Sequence, residues 1–502
     1  MTTKEQLEKL FEPAFISSIG IPKLRELILT LAMQGKLTEQ LPSDTPVETL
    51  LAEIEEERKA LIKAKKIRRQ KALPEITEEE IPFEVSKTWI WIRIGNIGNL
   101  FNGDSINASV RNNKYTNIKG TPYIATKDVG YGLDPIDYNN GVAIPDSDLS
   151  KFKTVPKNTV LICSEGGSAG KKCGLTDRAV CFGNKLFALD EYGGISAKFL
   201  LYTYLTPYFQ KMFSERLTGI IGGVSIGRFS TILIALPPIE EQQRIVEKLD
   251  QLMAYCDQLE QDLANKSDLH ERLIHSTEHH LLNAESAQEK ITTWQFMERH
   301  FESLYQTESA VERLRGTLLQ LAVTGQLIKT NKNNWLNSKV GDIITFEYGK
   351  GVPKMERLNT GVPVYGANGA LPYFAKKALV DNKCIIIGRK GSAGALKFIK
   401  GPAYPSDVTF YVLPFSEMSL TYCYNLLLSL NLPKMAKGIK PGINRNEVYQ
   451  LDITYPSSLV EQKRIVEKLD QLMEFCDQLE EKIKERTQVS GELTDSLVAT
   501  VA

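Results

Sequence analysis

A twenty-residue stretch, EQQRIVEKLDQLMAYCDQLE from Glu241 to Glu260, occurs again as EQKRIVEKLDQLMEFCDQLE from Glu461 to Glu480, with seventeen of twenty positions identical. In the first copy Ile245, Leu249, Leu252, Cys256, Leu259 and Leu263 are spaced 4, 3, 4, 3 and 4 residues apart. Ile465, Leu469, Leu472, Cys476, Leu479 and Ile483 repeat that spacing. An apolar seam with a period of about 3.5 residues belongs to helices that wind around a partner. An internal repeat of this kind means that the architecture was built twice.

The rest of the chain follows the same duplication. KLRELILTLAMQGKL, residues 23 to 37, places Leu24, Leu27, Ile28 and Leu31 on one helical face, with Gly35 where a C-terminal cap would sit. LRGTLLQLAVTGQL, residues 314 to 327, matches it at Leu314, Arg315, Leu319, Leu321, Ala322, Gly325 and Leu327. Residues 86 to 239 are rich in aromatics, Gly, Asn and short β-prone runs such as TWIWIRIG, TVLICS and STILIALP, and Pro237-Pro238 closes them. Residues 331 to 459 restate that segment: Ile94-Gly95-Asn96-Ile97 is answered by Val340-Gly341-Asp342-Ile343, and Gly167-Ser168-Ala169-Gly170 by Gly391-Ser392-Ala393-Gly394. The final helix and the first helix together reproduce the central helical region, as in a circularly permuted duplication. The expected division is an N-terminal helical region over 1–85, a strand-rich domain over 86–239, a central helical region over 240–330, a second strand-rich domain over 331–459 and a C-terminal helix over 460–502. Both termini are expected close together, with pseudo-two-fold symmetry. Thr45-Pro46-Val47-Glu48 reads as a capping box opening a helix through Leu50, Ile54 and Leu61, followed by a basic run from Lys63 to Lys71.

Charge separates along the same boundaries. The whole chain balances 61 Lys and Arg against 61 Asp and Glu. Residues 86 to 239, however, carry 17 basic and 11 acidic side chains, and residues 331 to 460 carry 16 and 8. Two basic segments joined by acidic helical ones point to a polyanion, nucleic acid, on the strand-rich parts. No apolar run reaches the roughly 18 residues of a spanning helix, and MTTKEQLEKLFEP at the N-terminus has no apolar signal region, so a cytoplasmic chain is expected. Seven cysteines without a C-x-x-C pair fit reduced, buried thiols, with Cys256 and Cys476 at seam positions.

Catalytic patterns are not met. CSEGGSAGKK, Cys163 to Lys172, resembles a phosphate loop but has Glu165 where Gly is required and Lys172 where Ser or Thr is required. The shared reading of this stretch and of GRKGSAGALK, Gly388 to Lys397, is a tight glycine turn that brings backbone and basic side chains to a surface. His275 and His279 stand four residues apart, yet no Cys or acidic third ligand completes a zinc pattern, and a polar helix surface is the simpler reading. There is no Asn/Asp-Pro-Pro-aromatic methyltransferase motif, no nuclease-type acidic cluster with an attendant Lys and no HExxH. No catalytic residues and no metal ligands are assigned.

Two strand-rich domains, each followed by Pro and then E-Q-x-R-I-V-x-K-L-D-x-L, with helices closing head to tail, resemble the specificity (S) subunits of type I restriction-modification enzymes. The resemblance covers essentially the whole chain, and LPPIEEQQRIVEKLDQL and its second copy carry it. The second copy has Tyr455-Pro456-Ser457-Ser458 in place of Leu236-Pro237-Pro238-Ile239. The resemblance implies an α+β protein in which two strand-rich target-recognition domains are separated by long antiparallel coiled-coil helices in a pseudo-two-fold circular arrangement. Each domain would read one half of a bipartite, asymmetric site on double-stranded DNA. Methyltransferase (M) subunits, binding S-adenosylmethionine (SAM), would dock on the helices, and ATP- and Mg-dependent restriction (R) subunits would join them. The chain itself would be non-catalytic and hold no cofactor. A helix from Glu240 to about Leu282 would be roughly 60 Å long, a ruler between two half-sites on one duplex face.

Residue type and loop-like setting select the candidate DNA contacts. In the first domain they are Arg111, Lys114, Tyr115, Lys127, Lys171, Lys172 and Arg228. In the second they are Lys350, Lys354, Arg357, Asn368, Arg389, Lys390, Lys437, Lys440 and Arg445. The competing reading is a coiled-coil scaffold, independent of DNA, whose paired domains bind proteins.

Overall fold

The computed structural model describes residues 14–69, 71–219, 222–412, 416–439 and 441–501. The N-terminal stretch MTTKEQLEKLFEP and Lys440 lie outside the described residues. The chain mixes helix and strand and divides into two compact units, one formed by Met1–Asn265 with Ser490–Ala502 and the other by Lys266–Val489.

In the first unit the helix Gly20–Met33 buries Leu24, Leu27 and Ile28. It ends at Gly35, whose φ of +70° lets Lys36 N bond back to Leu31 O at 3.0 Å. The next helix, Val47–Lys63, buries Val47, Leu50 and Ile54, but the expected capping box does not form. Pro46 takes the capping position, and the Thr45 hydroxyl donates instead to Glu240 Oε1 at 2.7 Å. Thr45 therefore ties the start of this helix to the start of the long helix Ile239–Asn283.

The strand-rich segment begins and ends in one antiparallel pair, Ile90–Arg93 against Leu233–Leu236, with Ile90 opposite Leu236. Between them lie two four-stranded sheets. One runs Gly98–Asn102, Leu186–Glu191, Val160–Cys163, Cys173–Leu175, all antiparallel. The other runs Ala143–Ile144, Thr121–Ile124, Val180–Phe182, Thr154–Val155, with one parallel pairing between Thr121–Ile124 and Val180–Phe182. Phe199, Phe209, Phe229, Ile94 and Leu236 form a core with the heptad residues Ile245, Leu249 and Cys256, all fully buried. Each such aliphatic side chain stabilises by roughly 1.5–3 kcal/mol. Arg25 clamps the heptad helix from outside, 2.7 Å from Asp257 and 2.9 Å from Glu260. Leu493, Leu497 and Val498, near the end of the helix Leu459–Val501, pack on the same core, and Thr494 donates to Ala14 O at 2.6 Å.

The second unit repeats this order of parts. Its segment is bounded by Trp335–Lys339 against Asp452–Pro456, with Trp335 opposite Pro456. Its four-stranded sheet runs Glu347–Tyr348, Thr409–Val412, Cys384–Gly388, Leu396–Ile399. A smaller sheet pairs Gly369–Ala375 and Tyr404–Pro405 with Val362–Gly366, the latter in parallel. Ile465, Leu469, Cys476 and Ile483 of the second heptad copy are buried in its core with Phe346, Phe410 and Leu427. Arg315, on the helix Glu308–Val323, reaches Asp477 at 2.6 Å and Glu480 at 2.9 Å, as Arg25 reaches Asp257 and Glu260. Among the described residues no helix is long and apolar enough to cross a membrane.

Candidate nucleic-acid interface

In the second unit the central strand Cys384–Gly388 ends in a glycine turn. Gly391 and Gly394 hold φ of +82° and +83°, and Gly394 N bonds to Gly388 O at 2.7 Å. The loop Lys437–Gly442 is tied to this turn through Gly391 N to Pro441 O at 3.0 Å and Ile443 N to Arg389 O at 3.1 Å. Beside both stands Tyr348, half exposed at 49%, at the end of the edge strand and opposite Phe410. The Arg389 guanidinium lies 5.6 Å from its ring centre and that of Arg445, first residue of the short helix Arg445–Tyr449, lies 4.9 Å away. Backbone carbonyls fix both heads: Arg389 Nη2 donates to Asp407 O at 2.7 Å, and Arg445 Nη1 to Phe346 O at 3.1 Å. Each cation–ring contact adds about 0.5–1 kcal/mol.

The same bonds recur in the first unit with different side chains. Gly170 N bonds to Cys163 O at 2.8 Å, Val224 N to Ser164 O at 2.9 Å and Gly166 N to Gly222 O at 2.8 Å. Ser164 thus stands where Arg389 stands, and Glu165 where Lys390 stands. Asn102, opposite Phe187, takes the place of Tyr348. Ile226, following the capping Ser225, takes that of Arg445, which follows the capping Asn444. The outcome is an open cleft of about 1040 Å³ lined by Asn102, Ser164, Glu165, Asn184, Thr218 and Ser225. Glu165 is paired with Lys185 at 3.0 Å.

The remaining candidate residues fall into smaller groups. Lys172 Nζ lies 3.5 Å from the carbonyls of Thr126 and Lys127 and 5.0 Å from the Tyr131 ring, so Lys127 and Lys172 share one edge, with exposed Lys171 next in the chain. Lys114 is exposed but bound to Asp148 at 2.5 Å; Lys114 first, then Lys151, hold that carboxyl well below the usual range. Tyr115 is not a surface reader: it is 5% exposed and its hydroxyl donates to Asp148 at 3.0 Å. Its ring fills a small apolar cluster with Tyr123 and Ile144, where burial outweighs display. Arg111 is half-buried in the helix Ala108–Lys114, and Arg228 is exposed.

In the second unit Lys350, Lys354 and Lys390 are exposed. Arg357 stacks 4.1 Å from the Tyr373 ring centre. Asn368 sits in the two-residue turn between Gly366 and Gly369. Lys437 pairs with Glu447 at 2.8 Å. Lys440 lies outside the described residues. Sequence reasoning missed the aromatic supports Tyr131, Tyr348 and Tyr373; the adjacency Tyr348-Gly349-Lys350 was the available signal. It also missed Met355 and Ile439, which stand 99% and 105% exposed at loop tips. His275 and His279 are exposed, their rings 6.3 Å apart, and among the described residues no three potential ligands converge on a metal site.

A strand-rich module with glycine-bent, basic loop tips, present twice and each time joined to a heptad helix, is the layout of a DNA specificity protein. The family model for the type I restriction modification DNA specificity domain matches residues 86–266 and 332–488, and the chain belongs to that family. The specificity subunit of the type I restriction enzyme EcoAI from Escherichia coli is 34% identical over 327 residues, 64% of this chain and 54% of that protein. The EcoEI specificity subunit from the same organism is 31% identical over 331 residues, with the same coverage, 64% and 54%. The chain spans about half the length of these relatives. A chain solved in work on complex assembly and conformational transition of the type I R-M system shares the fold, with a TM-score of 0.54 at 15% identity, over 83% of this chain and 99% of that one.

Proposed function

We propose that this chain is the sequence-reading subunit of a type I restriction-modification complex. Residues 86–239 and 331–459 are its two target-recognition domains, each reading one half of a bipartite, asymmetric site on double-stranded DNA. The helical regions 1–85, 240–330 and 460–502 space the domains as antiparallel coiled-coil helices in a pseudo-two-fold circular arrangement, a reading that rests on the duplicated sequence. The same helices dock methyltransferase subunits, to which restriction subunits add. SAM, ATP and Mg belong to those partners; the chain is non-catalytic and works in the cytoplasm.

The observation that carries this reading is the pair Arg389 and Arg445, held on opposite loops around Tyr348 with no carboxylate in ion-pair range among the described residues. Lys127, Lys171, Lys172, Arg228, Lys350, Lys354, Arg357, Lys390 and Lys440 supply phosphate contacts, Asn368 a groove contact. Arg111, Lys114 and Lys437 contribute once their local carboxylates or packing give way.

The test is co-expression with the partner methyltransferase subunit and mapping of methylated bases across a genome. A single bipartite, asymmetric motif that vanishes without this chain is expected. DNA affinity of the complex should also fall steeply with salt, by about one unit of log–log slope per phosphate contact. Salt-independent behaviour and no motif would instead identify a protein-binding scaffold.

A further inference from the structure

Arg389 and Arg445 differ from Lys437, the basic residue of the adjoining loop, which is neutralised by Glu447 at 2.8 Å. The two arginines have no acidic partner among the described residues, and their Nε atoms are buried without an acceptor. Each head spends one terminal nitrogen on a backbone carbonyl and leaves the other, Nη1 of Arg389 and Nη2 of Arg445, without a bond among the described residues. Two charged, planar donors have thus already lost their rotamer freedom against a tyrosine ring. A ligand that meets them gains charge-assisted bonds at little further entropic cost.

A phosphate or the O6/N7 edge of guanine would satisfy such donors equally well in isolation. The first unit decides between them. The turn, the cross-loop bonds and the strand register around this point are kept, yet Asn102, Ser164 and Ile226 stand at the three places of Tyr348, Arg389 and Arg445. A phosphate anchor carries no sequence information and would be wanted in both domains. A position whose scaffold is retained while its chemistry changes from a tyrosine flanked by two cations to an amide flanked by a hydroxyl and an alkyl side chain behaves as a point of discrimination.

We propose that Tyr348, Arg389 and Arg445 form the base-reading element of the second domain, selective for a G·C pair, and that Asn102 in its cleft is the corresponding reader of the first domain. This rests on the DNA-reading function proposed above. Asn102 brings the amide that pairs with adenine N6 and N7, so the half-site of the first domain is expected to carry an A·T pair at the equivalent place.

The experiment uses the full chain with its methyltransferase partner and reads methylated motifs together with DNA affinity at several salt concentrations. Arg389→Ala and Arg445→Ala are expected to relax one G·C position in one half-site by roughly tenfold or more, leaving the other half unchanged. Asn102→Ala should relax one position in the other half-site. Arg389→Lys keeps the charge but loses the planar head that Asp407 O and the Tyr348 ring hold in place, so it should lose the discrimination while affinity for unrelated DNA stays the same. It also serves as the variant least disturbing to the fold. Uniform weakening across all sequences, with a shallower salt slope and rescue by Lys, would make the arginines phosphate anchors and overturn the proposal, as would an unchanged motif. A wild-type complex that yields no bipartite motif would overturn the DNA-reading function itself, an outcome the wild-type control separates from the others.

Discussion

The indole N–H of Trp89 donates to the fully buried carboxylate of Glu241 at 2.8 Å. Thr38 Oγ1 and Gln40 Nε2 donate to the same carboxylate at 3.1 and 2.9 Å. The next residue, Gln242, accepts from Ser196 N at 3.0 Å and donates to Pro237 O at 3.0 Å. In the second unit Trp335 donates to Glu461 at 3.1 Å, while Gln462 accepts from Ser419 N at 2.7 Å and donates to Pro456 O at 2.9 Å. The repeated Glu-Gln pair is therefore a hub at the foot of each heptad helix, and its two copies are not equally loaded.

Glu241→Ala should destabilise the first unit by about 2–3 kcal/mol, because the Trp89 indole and the Thr38 hydroxyl lose their acceptor while Gln40 keeps only the carbonyls of Gly35 and Thr38. Glu461→Ala removes the acceptor of one half-exposed indole and should cost about 1 kcal/mol. Urea unfolding followed by tryptophan fluorescence separates the two; equal losses would contradict the asymmetry.

The glycines of the duplicated turn are expected to differ. A Cβ on Gly394 would lie 2.4 Å from Pro433 N at a φ of +83°, whereas one on Gly167 meets nothing within 4 Å. Gly394→Ala should lower stability by about 2 kcal/mol or more, and Gly167→Ala should stay within about 0.5 kcal/mol of the parent. Thermal unfolding of both variants in one buffer checks the pair.

Glu191 ends the strand Leu186–Glu191, where burial, aided by Asp190, raises its carboxyl to about 7. The folded state then keeps a proton that the unfolded chain has already released. Its contribution is present below the ordinary carboxylate value of 4.5 and is lost as pH rises toward about 7. Stability should decline over that interval by about 1–3 kcal/mol, and Glu191→Gln should flatten the decline. Urea midpoints measured from pH 4.5 to 8 test it; a parent curve that rises across this range would contradict the assignment.

All seven cysteines are unpaired and buried. Burial pushes Cys181 and Cys384 up to about 11 and Cys173 and Cys423 to about 12. Native protein should thus react with a thiol-specific reagent only as fast as it opens, and all seven should react at once in denaturant. A rapid native burst at neutral pH would place a thiol at the surface.

The heptad helices, the glycine caps at Gly35 and Gly325 and the duplicated order of parts were legible because each rests on local periodicity or on a φ that only glycine takes easily. The turns GGSAG and GSAG were legible as turns for the same reason. What failed depended on distant partners. Thr45 looks like a cap until Glu240, 195 residues later, claims its hydroxyl. Tyr115 looks like a surface aromatic between lysines until Asp148 and Phe152 close over it. Tyr348 has only its neighbours Gly349 and Lys350 as a local mark, since Arg389 and Arg445 reach it through sheet register and loop closure.

The pairing of Ile90 with Leu236, and of Trp335 with Pro456, gives each strand-rich segment the topology of a single long hairpin whose two ends are pinned side by side. The polypeptide between those pins can change in length or sequence without altering the separation of the points at which it leaves and rejoins the helices. Drift in the loops outside the core that Phe199, Phe209 and Phe229 share with Ile245 and Leu249 therefore leaves the attached helix undisturbed, so that the strand-rich segment can vary at its tips while the helix stays fixed.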